Sequence, residues 1–361
     1  MKLLTLNTSS MIGFDPEKQL KVLTQALSDG SYDVVALQEV NQLNSAEEVP
    51  IQELDSYIPC QDRVPVKKGN FAFQISEALK NSGQIWYWSW LPVHIGYNHF
   101  DEGVAVMTRH PIRKTHAFYL SGLTAYDNYK TRMALGIQSV FTGEPAWFYS
   151  VQFGWWDDPE EPFSRQWDRF MEKTGSLDTP VYVMGDFSAP TDLTDQGYSY
   201  LMSHSDFTDT FDQAEYKDSG ITITGTTDEW TDPQNREAMR ADLILTNTNQ
   251  NVLSSHVVFR NDQYQRISDH FGLEVTFGES SQDFKRTTET RIPEFASRKT
   301  VPAPLAIIKT SGPMVVRTRR VRLMNDDPFQ LIRETFREAA RDRGIMETIL
   351  FGDDETGDDN Q

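Results

Sequence analysis

Residues 34–40 read VVALQEV, and residues 181–187 read VYVMGDF. Each is a short apolar run that reaches a carboxylate, as expected of a buried strand whose end emerges at a loop. A charge directly behind such a run needs a partner or a metal, because burying it alone is costly. The pattern recurs. LTLN ends at Asn7, ADLILT (241–246) places Asp242 at the start of its run, and RISDHFGLEV (266–275) carries Asp269 and His270. Any one of these is ordinarily a cap or turn residue. Five together point to a single site.

Working outward, Asp15-Pro16 opens a helix as cap and first-turn proline. Leu20, Leu23 and Leu27 share one face of it, and Gly30 ends it. A second helix carries Phe163, Trp167, Phe170 and Met171 on one stripe and stops at Gly175. Further strands are read at 255–260 and 271–277. Strands outnumber helices and several follow one another without a helical crossover, which favours two packed mixed sheets over a singly wound parallel sheet. The composition shifts after Gly278. Residues 279–361 are Arg-rich, with one helix expected over 328–351 and an acidic end, GDDETGDDNQ. This reads as an appendage to a catalytic unit spanning 1–278.

The chain has 361 residues, of which 38% are hydrophobic and 12% aromatic, with eight Trp, enough to fill a substantial core. Its formal net charge of −19 disfavours nucleic acid as a partner, since gripping a phosphate backbone calls for a positive footprint. Cys60 is the single cysteine, so no intrachain disulfide is expected. No run of 18 apolar residues and no signal-like start is visible, so the expectation is a cytoplasmic protein with no membrane partner. Oligomeric state is left open.

In order and spacing, LTLN, LQEV, GDFS, MRAD and SDH resemble the endonuclease/exonuclease/phosphatase enzymes, as does FDEGVAVMTRHPI (100–112). The resemblance spans 1–278 and implies a four-layered α/β sandwich of two packed mixed β-sheets flanked by helices, like that of deoxyribonuclease I. The segments WYWSWLPVHIGY (86–97), FGWWDD (153–158), FSRQWDRF (163–170) and ITITGTTDEW (221–230) look like the sugar-phosphatase branch represented by maltose 6-phosphate phosphatases. That branch implies a small sugar phosphate as substrate, and Trp155 and Trp156, beside Asp157 and Asp158, read as a loop suited to stacking on sugar rings.

Phosphomonoester hydrolysis needs charge neutralisation at the phosphoryl oxygens, a positioned water and a stabilised leaving group. Glu39 is the first choice as ligand for Mg²⁺, or Mn²⁺, with Asn7 and Asp269 completing the shell. Asp242 is the natural partner to orient His270 and keep it protonated, and Asp186 would orient or deprotonate the attacking water. The other six histidines read as loop or surface residues without a paired acid. Two positions depart from the family pattern: Gln152 stands where the resemblance implies His, and Ser188 where it implies Asn. Glu102 is therefore expected to face the neutral amide of Gln152. These three, with Arg132, are the expected substrate-binding residues. The competing readings are a phosphodiesterase or nuclease on the same frame, and a weakened module that binds a phosphorylated ligand.

Overall fold

The structure is a computed structural model that describes residues 1–278, apart from 142, 194 and 225–237. The second half of the ITITGTTDEW segment, the helix expected over 328–351 and the acidic end lie outside the described residues.

The strands are β1 (Lys2–Asn7), β2 (Val34–Leu43), β3 (Tyr87–Gly96), β4 (Phe100–Thr108), β5 (Lys114–Tyr119), β6 (Met133–Phe141), β7 (Glu144–Gln152), β8 (Val181–Asp186), β9 (Thr208–Asp209), β10 (Tyr216–Lys217), β11 (Ile223–Thr224), β12 (Ala238–Met239), β13 (Asp242–Thr246), β14 (Val252–Val258) and β15 (Gly272–Phe277). The α-helices are α1 (Pro16–Asp29), α2 (Phe71–Asn81), α3 (Phe163–Thr174), α4 (Gly197–Ser203) and α5 (Thr210–Gln213). A seven-stranded sheet runs β10-β14-β15-β1-β2-β4-β3, and a six-stranded sheet runs β5-β6-β7-β8-β13-β9. Both are mixed. β1 pairs β2 and β7 pairs β8 in parallel, whereas β2 with β4 and β8 with β13 are antiparallel.

The faces of these sheets are set by the two-residue period of a strand. Leu3, Val34, Ala36, Val104 and Val106 from the first sheet meet Leu135, Ile137, Phe148, Tyr182, Met184 and Ile244 from the second in one core. The alternate residues of the second sheet, including Tyr149, Val183 and Leu243, pack against Phe163, Trp167 and Phe170 of α3. On the outer side of the first sheet, α1 packs on α2, and α2 rests on β2 and β3. The result is the four-layered sandwich that the motif order implies.

Local sequence chemistry explains the element ends. Asp15 caps α1 by accepting from the backbone N–H groups of Glu17 at 2.9 Å and Lys18 at 3.2 Å, and Gly30 closes it. One expectation shifts: Leu20 is half-buried, while Gln19 is fully buried. Its amide donates to the carbonyls of Thr8 at 3.0 Å and Ile267 at 2.7 Å, so the helix buries a strut rather than a third leucine. Helix α2, capped by Asn70, and the short α4 and α5 go beyond the two helices that spacing picks out before Gly278. The strand expected over 255–260 begins earlier, at Val252. Among the described residues no helix is long and apolar enough to cross a membrane.

Gly185 sits just before Asp186 at φ +154°, where an added Cβ would lie 1.9 Å from the carbonyl oxygen of Val151. No flexible side chain is available to move aside. Gly185→Ala should therefore destabilise the protein by at least about 1–3 kcal/mol, the usual cost of overpacking. The urea midpoint measures this, and an unchanged midpoint would contradict the close approach of β7 and β8 described here.

Candidate active site

The inward-facing residues of the central strands change character along their length. Next to the apolar core comes a polar rung: Gln38 of β2 donates to Ser150 Oγ of β7 at 2.9 Å, and Thr5 of β1 donates to Gln38 Oε1 at 3.3 Å. One step further along lie Asn7, Gln152, Asp186 and Asp242, with Gln152 opposite Asp186 and Asp186 opposite Asp242 in register. Simple alternation thus delivers four of the expected site residues to one place.

Glu39 arrives differently. Alternation would send it to the opposite face from Gln38. Its backbone is left-handed (φ 51°), at a register shift between Leu37 and Val40, and this β-bulge turns its carboxylate inward. Carbonyls at the bulge are satisfied by the polar run after β1. Thr8 Oγ1 donates to Gln38 O at 2.9 Å and to Glu39 O at 3.0 Å, and Ser10 Oγ donates to Glu39 O at 2.7 Å. The sequence NTSS is therefore an arrangement for holding the bulge.

The Asn7 amide joins the two sheets. Its Nδ2 donates to Glu39 Oε1 at 2.8 Å and to Asp186 Oδ2 at 3.3 Å. Gln152 Nε2 donates to the same Glu39 oxygen at 2.8 Å. Asp269 enters from the segment before β15. Its Oδ1 accepts from Ser9 Oγ, from Ser268 Oγ at 3.2 Å and from the backbone N–H of His270 at 3.1 Å.

His270 Nδ1 lies 2.8 Å from Asp242 Oδ2, and its Nε2 lies 4.0 Å from Asp186 Oδ2. Burial alone would lower the pKa of the imidazole. The Asp242 carboxylate overrides that, helped by Asp186 and Asp269, and holds it well above the usual histidine range, which favours the cationic ring. Burial pushes the Asp186 carboxyl up to about 6, an effect that Asp242 reinforces while His270 and Asn7 oppose it. Asp186 is thus a stronger base than an ordinary carboxylate.

Several expectations are corrected. Glu102 and Gln152 line the same small cavity, but the Gln152 amide donates to Glu39 rather than to Glu102. The partner of Glu102 is a histidine that the sequence reading placed at the surface. His94 of β3 is buried, with Nε2 at 3.1 Å from Glu102 Oε1. Burial would raise the Glu102 pKa, but His94, Arg132 and Asn41 together lower it, so the carboxyl stays ionised. The signal lay in the hairpin. His94 and Glu102 are equidistant from Asn98, in a turn where Tyr97 and Asn98 both have positive φ. His116 of β5 is also partnered, at 2.8 Å from the Tyr149 hydroxyl.

Ser188, left-handed at φ 45°, braces the loop after β8. Its Oγ donates to Phe153 O at 3.0 Å, and its backbone N–H donates to Asp186 Oδ1 at 2.8 Å. Trp155 and Trp156 lie in a loop after β7, as expected. Trp156 is half-buried against Tyr200, ring centroids 5.7 Å apart, so only part of its surface is open to a ligand. Lys130 pins this loop through Asp158 at 2.9 Å and Glu160 at 2.7 Å. Arg132 donates to the carbonyls of Tyr129 and Thr131 and lines a small cavity with His94, Glu102 and Gln152.

Removing the bridging amide leaves the buried carboxylate of Asp186 and the half-buried one of Glu39 short of a donor. Asn7→Ala should cost about 1–3 kcal/mol of stability, read from chemical denaturation of the metal-free protein. A variant as stable as the parent would mean that the bridge is not a structural element of the site.

Residues 4–270 match the model of the Endonuclease/Exonuclease/phosphatase family. No curated protein matches the chain. Among solved structures, an endonuclease/exonuclease/phosphatase family protein from Leptotrichia buccalis C-1013-b is 27% identical, with a TM-score of 0.67 over 77% of this chain and 99% of that one. The mannosyl-6-phosphatase Bt3783 of Bacteroides thetaiotaomicron VPI-5482 is 14% identical, with a TM-score of 0.52 over 77% and 99%. The TDP2 of D. rerio, complexed with a single-strand DNA product, is 14% identical, with a TM-score of 0.51 over 77% and 98%. At that identity these last two are similar in fold alone. By the extent of the family match and by its architecture, the chain belongs to the endonuclease/exonuclease/phosphatase family of phosphoester hydrolases.

Proposed function

We propose that the protein is a cytoplasmic, divalent-metal-dependent phosphomonoesterase acting on a sugar phosphate such as maltose 6-phosphate, with residues 1–278 as its catalytic unit. The observation that carries this reading is the convergence of the His270–Asp242 pair and Asp186 with Asn7 and Glu39, with Asp269 tied to Asn7 through Ser9.

The donor set fits a hard cation. The carboxylates of Glu39 and Asp269 offer oxygen, whereas the Asn7 amide turns its nitrogen to Glu39 and Asp186 and its oxygen to the Ser9 N–H, so Asn7 would serve the cation through a bridging water or after its amide turns over. The described residues contain no closed cluster of three or more His, Cys, Asp or Glu in metal-holding geometry. Mg²⁺ takes one or two protein carboxylates and keeps several waters, a demand that Glu39 and Asp269 would meet. Glu39 and Asp269, with Asn7, would hold it, and Mn²⁺ could replace it. When bound, the cation neutralises charge on the phosphoryl oxygens.

The protein's own groups supply the remainder. Asp242 fixes the His270 ring through Nδ1, which leaves the cationic Nε2 side to face phosphoryl oxygen as a clamp and proton donor. Asp186, with its raised pKa, is ionised at pH 7 yet basic enough to draw a proton from an attacking water. Ser188 holds the backbone that carries Asp186. Gln152 acts through Glu39 rather than on substrate directly. The sugar-phosphate assignment is supported by the net charge of −19, which opposes a polyanionic partner, and by the partly open Trp155–Trp156 loop beside the end of β7. The similarity in fold to a mannosyl-6-phosphatase is compatible with it.

Phosphate release from a panel of hexose and disaccharide phosphates should require a divalent cation and stop in excess EDTA. Undiminished turnover in EDTA would remove the metal from the account, and faster cleavage of DNA than of any sugar phosphate would replace the substrate class. His270→Ala should lower kcat by roughly 10²–10⁴-fold. More than half the parent activity in a folded His270→Ala protein would exclude His270 from the mechanism.

A further inference from the structure

The His94–Glu102 pair has no role in the chemistry above, yet it is built like a functional group. His94 is 6% exposed and Glu102 8%, and the two sit side by side in β3 and β4. A buried imidazole with a buried carboxylate on one ring nitrogen has its tautomer fixed. In the neutral ring Nε2–H donates to Glu102, which leaves Nδ1 as an acceptor. That Nδ1 is buried and has no hydrogen-bond partner among the described residues. Arg132 Nε, a donor, is buried and unpartnered in the same way. Two such atoms at one place are unusual, because buried polar groups are nearly always paired.

Both residues line a single cavity of about 10 Å³, together with Glu102, Gln152, Val93, Val104 and Met133. That is room for one oxygen atom the size of a water. The cavity is not sealed, since Gln152 and Arg132 are only half-buried. It is also adjacent to the candidate site, because the Gln152 amide that walls it donates to Glu39 Oε1 at 2.8 Å.

The chemistry of the two unpartnered atoms selects the occupant. Arg132 Nε–H needs an acceptor, and His94 Nδ1 needs a donor. A phosphoryl or carboxylate oxygen only accepts, and would leave His94 unpaired. A hydroxyl does both through one oxygen. The geometry points to a slot for one hydroxyl of the substrate's sugar, which accepts from Arg132 Nε and donates to His94 Nδ1, with Glu102 as the positioning residue that fixes the His94 ring. The inference rests on the sugar-phosphate reading and deepens it: His94 and Arg132 become specificity residues outside the group that acts on phosphorus. A site built to pair a hydroxyl rejects analogues that lack it, because its own polar groups are then left unsatisfied.

The test uses the full chain with Mg²⁺, glucose 6-phosphate, its four ring-monodeoxy analogues, and 4-nitrophenyl phosphate as a substrate without sugar hydroxyls. With the parent protein, one deoxy analogue should lose at least tenfold in kcat/KM while the others lose little. In His94→Ala that discrimination should collapse, and the ratio of kcat/KM for glucose 6-phosphate to that for 4-nitrophenyl phosphate should fall at least tenfold. Glu102→Gln should move both quantities in the same direction by less. If His94→Ala does not fold, the deoxy series on the parent protein still decides. Equal turnover of all deoxy analogues overturns the slot and leaves a buried water as the occupant. An unchanged ratio in His94→Ala, with both substrates slowed alike, also overturns it by placing His94 on the phosphoryl group. Hydrolysis of 4-nitrophenyl phosphate without turnover of any sugar phosphate overturns the slot and the substrate reading together. Turnover of sugar phosphates without deoxy discrimination overturns the slot alone.

Discussion

The arrangement depends on one side-chain amide. Asn7, the last residue of β1, donates from a single nitrogen to Glu39 in its own sheet and to Asp186 in the facing sheet. Two carboxylates brought together where at least one is buried repel each other and lose solvation, so they need a shared donor or a cation between them. An amide is the neutral choice. It holds both acids in place without cancelling the negative charge that a hard cation requires. The bulge at Glu39, the hydroxyls of Thr8 and Ser10 beneath it, and the Gln19 strut behind it all keep that bridge in register.

The opposite wall is organised by charge rather than by bridging. Asp242 and Asp186 lie across from one another on β13 and β8, where two neighbouring acids would ordinarily be unfavourable. His270 sits against one and near the other, and its pKa is raised because those carboxylates favour the cationic ring. A second histidine–carboxylate pair, His94 and Glu102, stands in a smaller space. The two imidazoles differ in what surrounds them. His270 stands among carboxylates and is suited to phosphate, whereas His94 stands with one carboxylate and one guanidinium and is suited to a neutral polar group.

Much of this was legible in the sequence, because strand alternation needs no tertiary information. Runs such as VVALQ and VYVMG announce buried strands, and the polar residue ending each must emerge at the same edge. The helix at Pro16–Asp29 was legible through its cap and proline. What was not legible required a departure from regularity. Glu39 reaches the site only through a left-handed residue that alternation cannot foresee. Gln19 is buried for a hydrogen-bonding reason that helical spacing does not encode. His94 lies in WYWSWLPVHIG, a run apolar enough to read as core, and its pairing with Glu102 appears only once the hairpin register is counted. Gln152 in turn looked like a substitution facing Glu102, when its length lets it reach Glu39.

The central claim is that the Asn7–Glu39–Asp269 corner holds a hard divalent cation. Anomalous diffraction from crystals of the protein soaked in Mn²⁺ tests it most directly, because the ion is located by its own scattering and no turnover is needed. The account predicts a peak within bonding distance of the Glu39 carboxylate in the parent protein and its loss in Glu39→Gln. Manganese found only at surface carboxylates, with the corner empty in a well-ordered map, would contradict it.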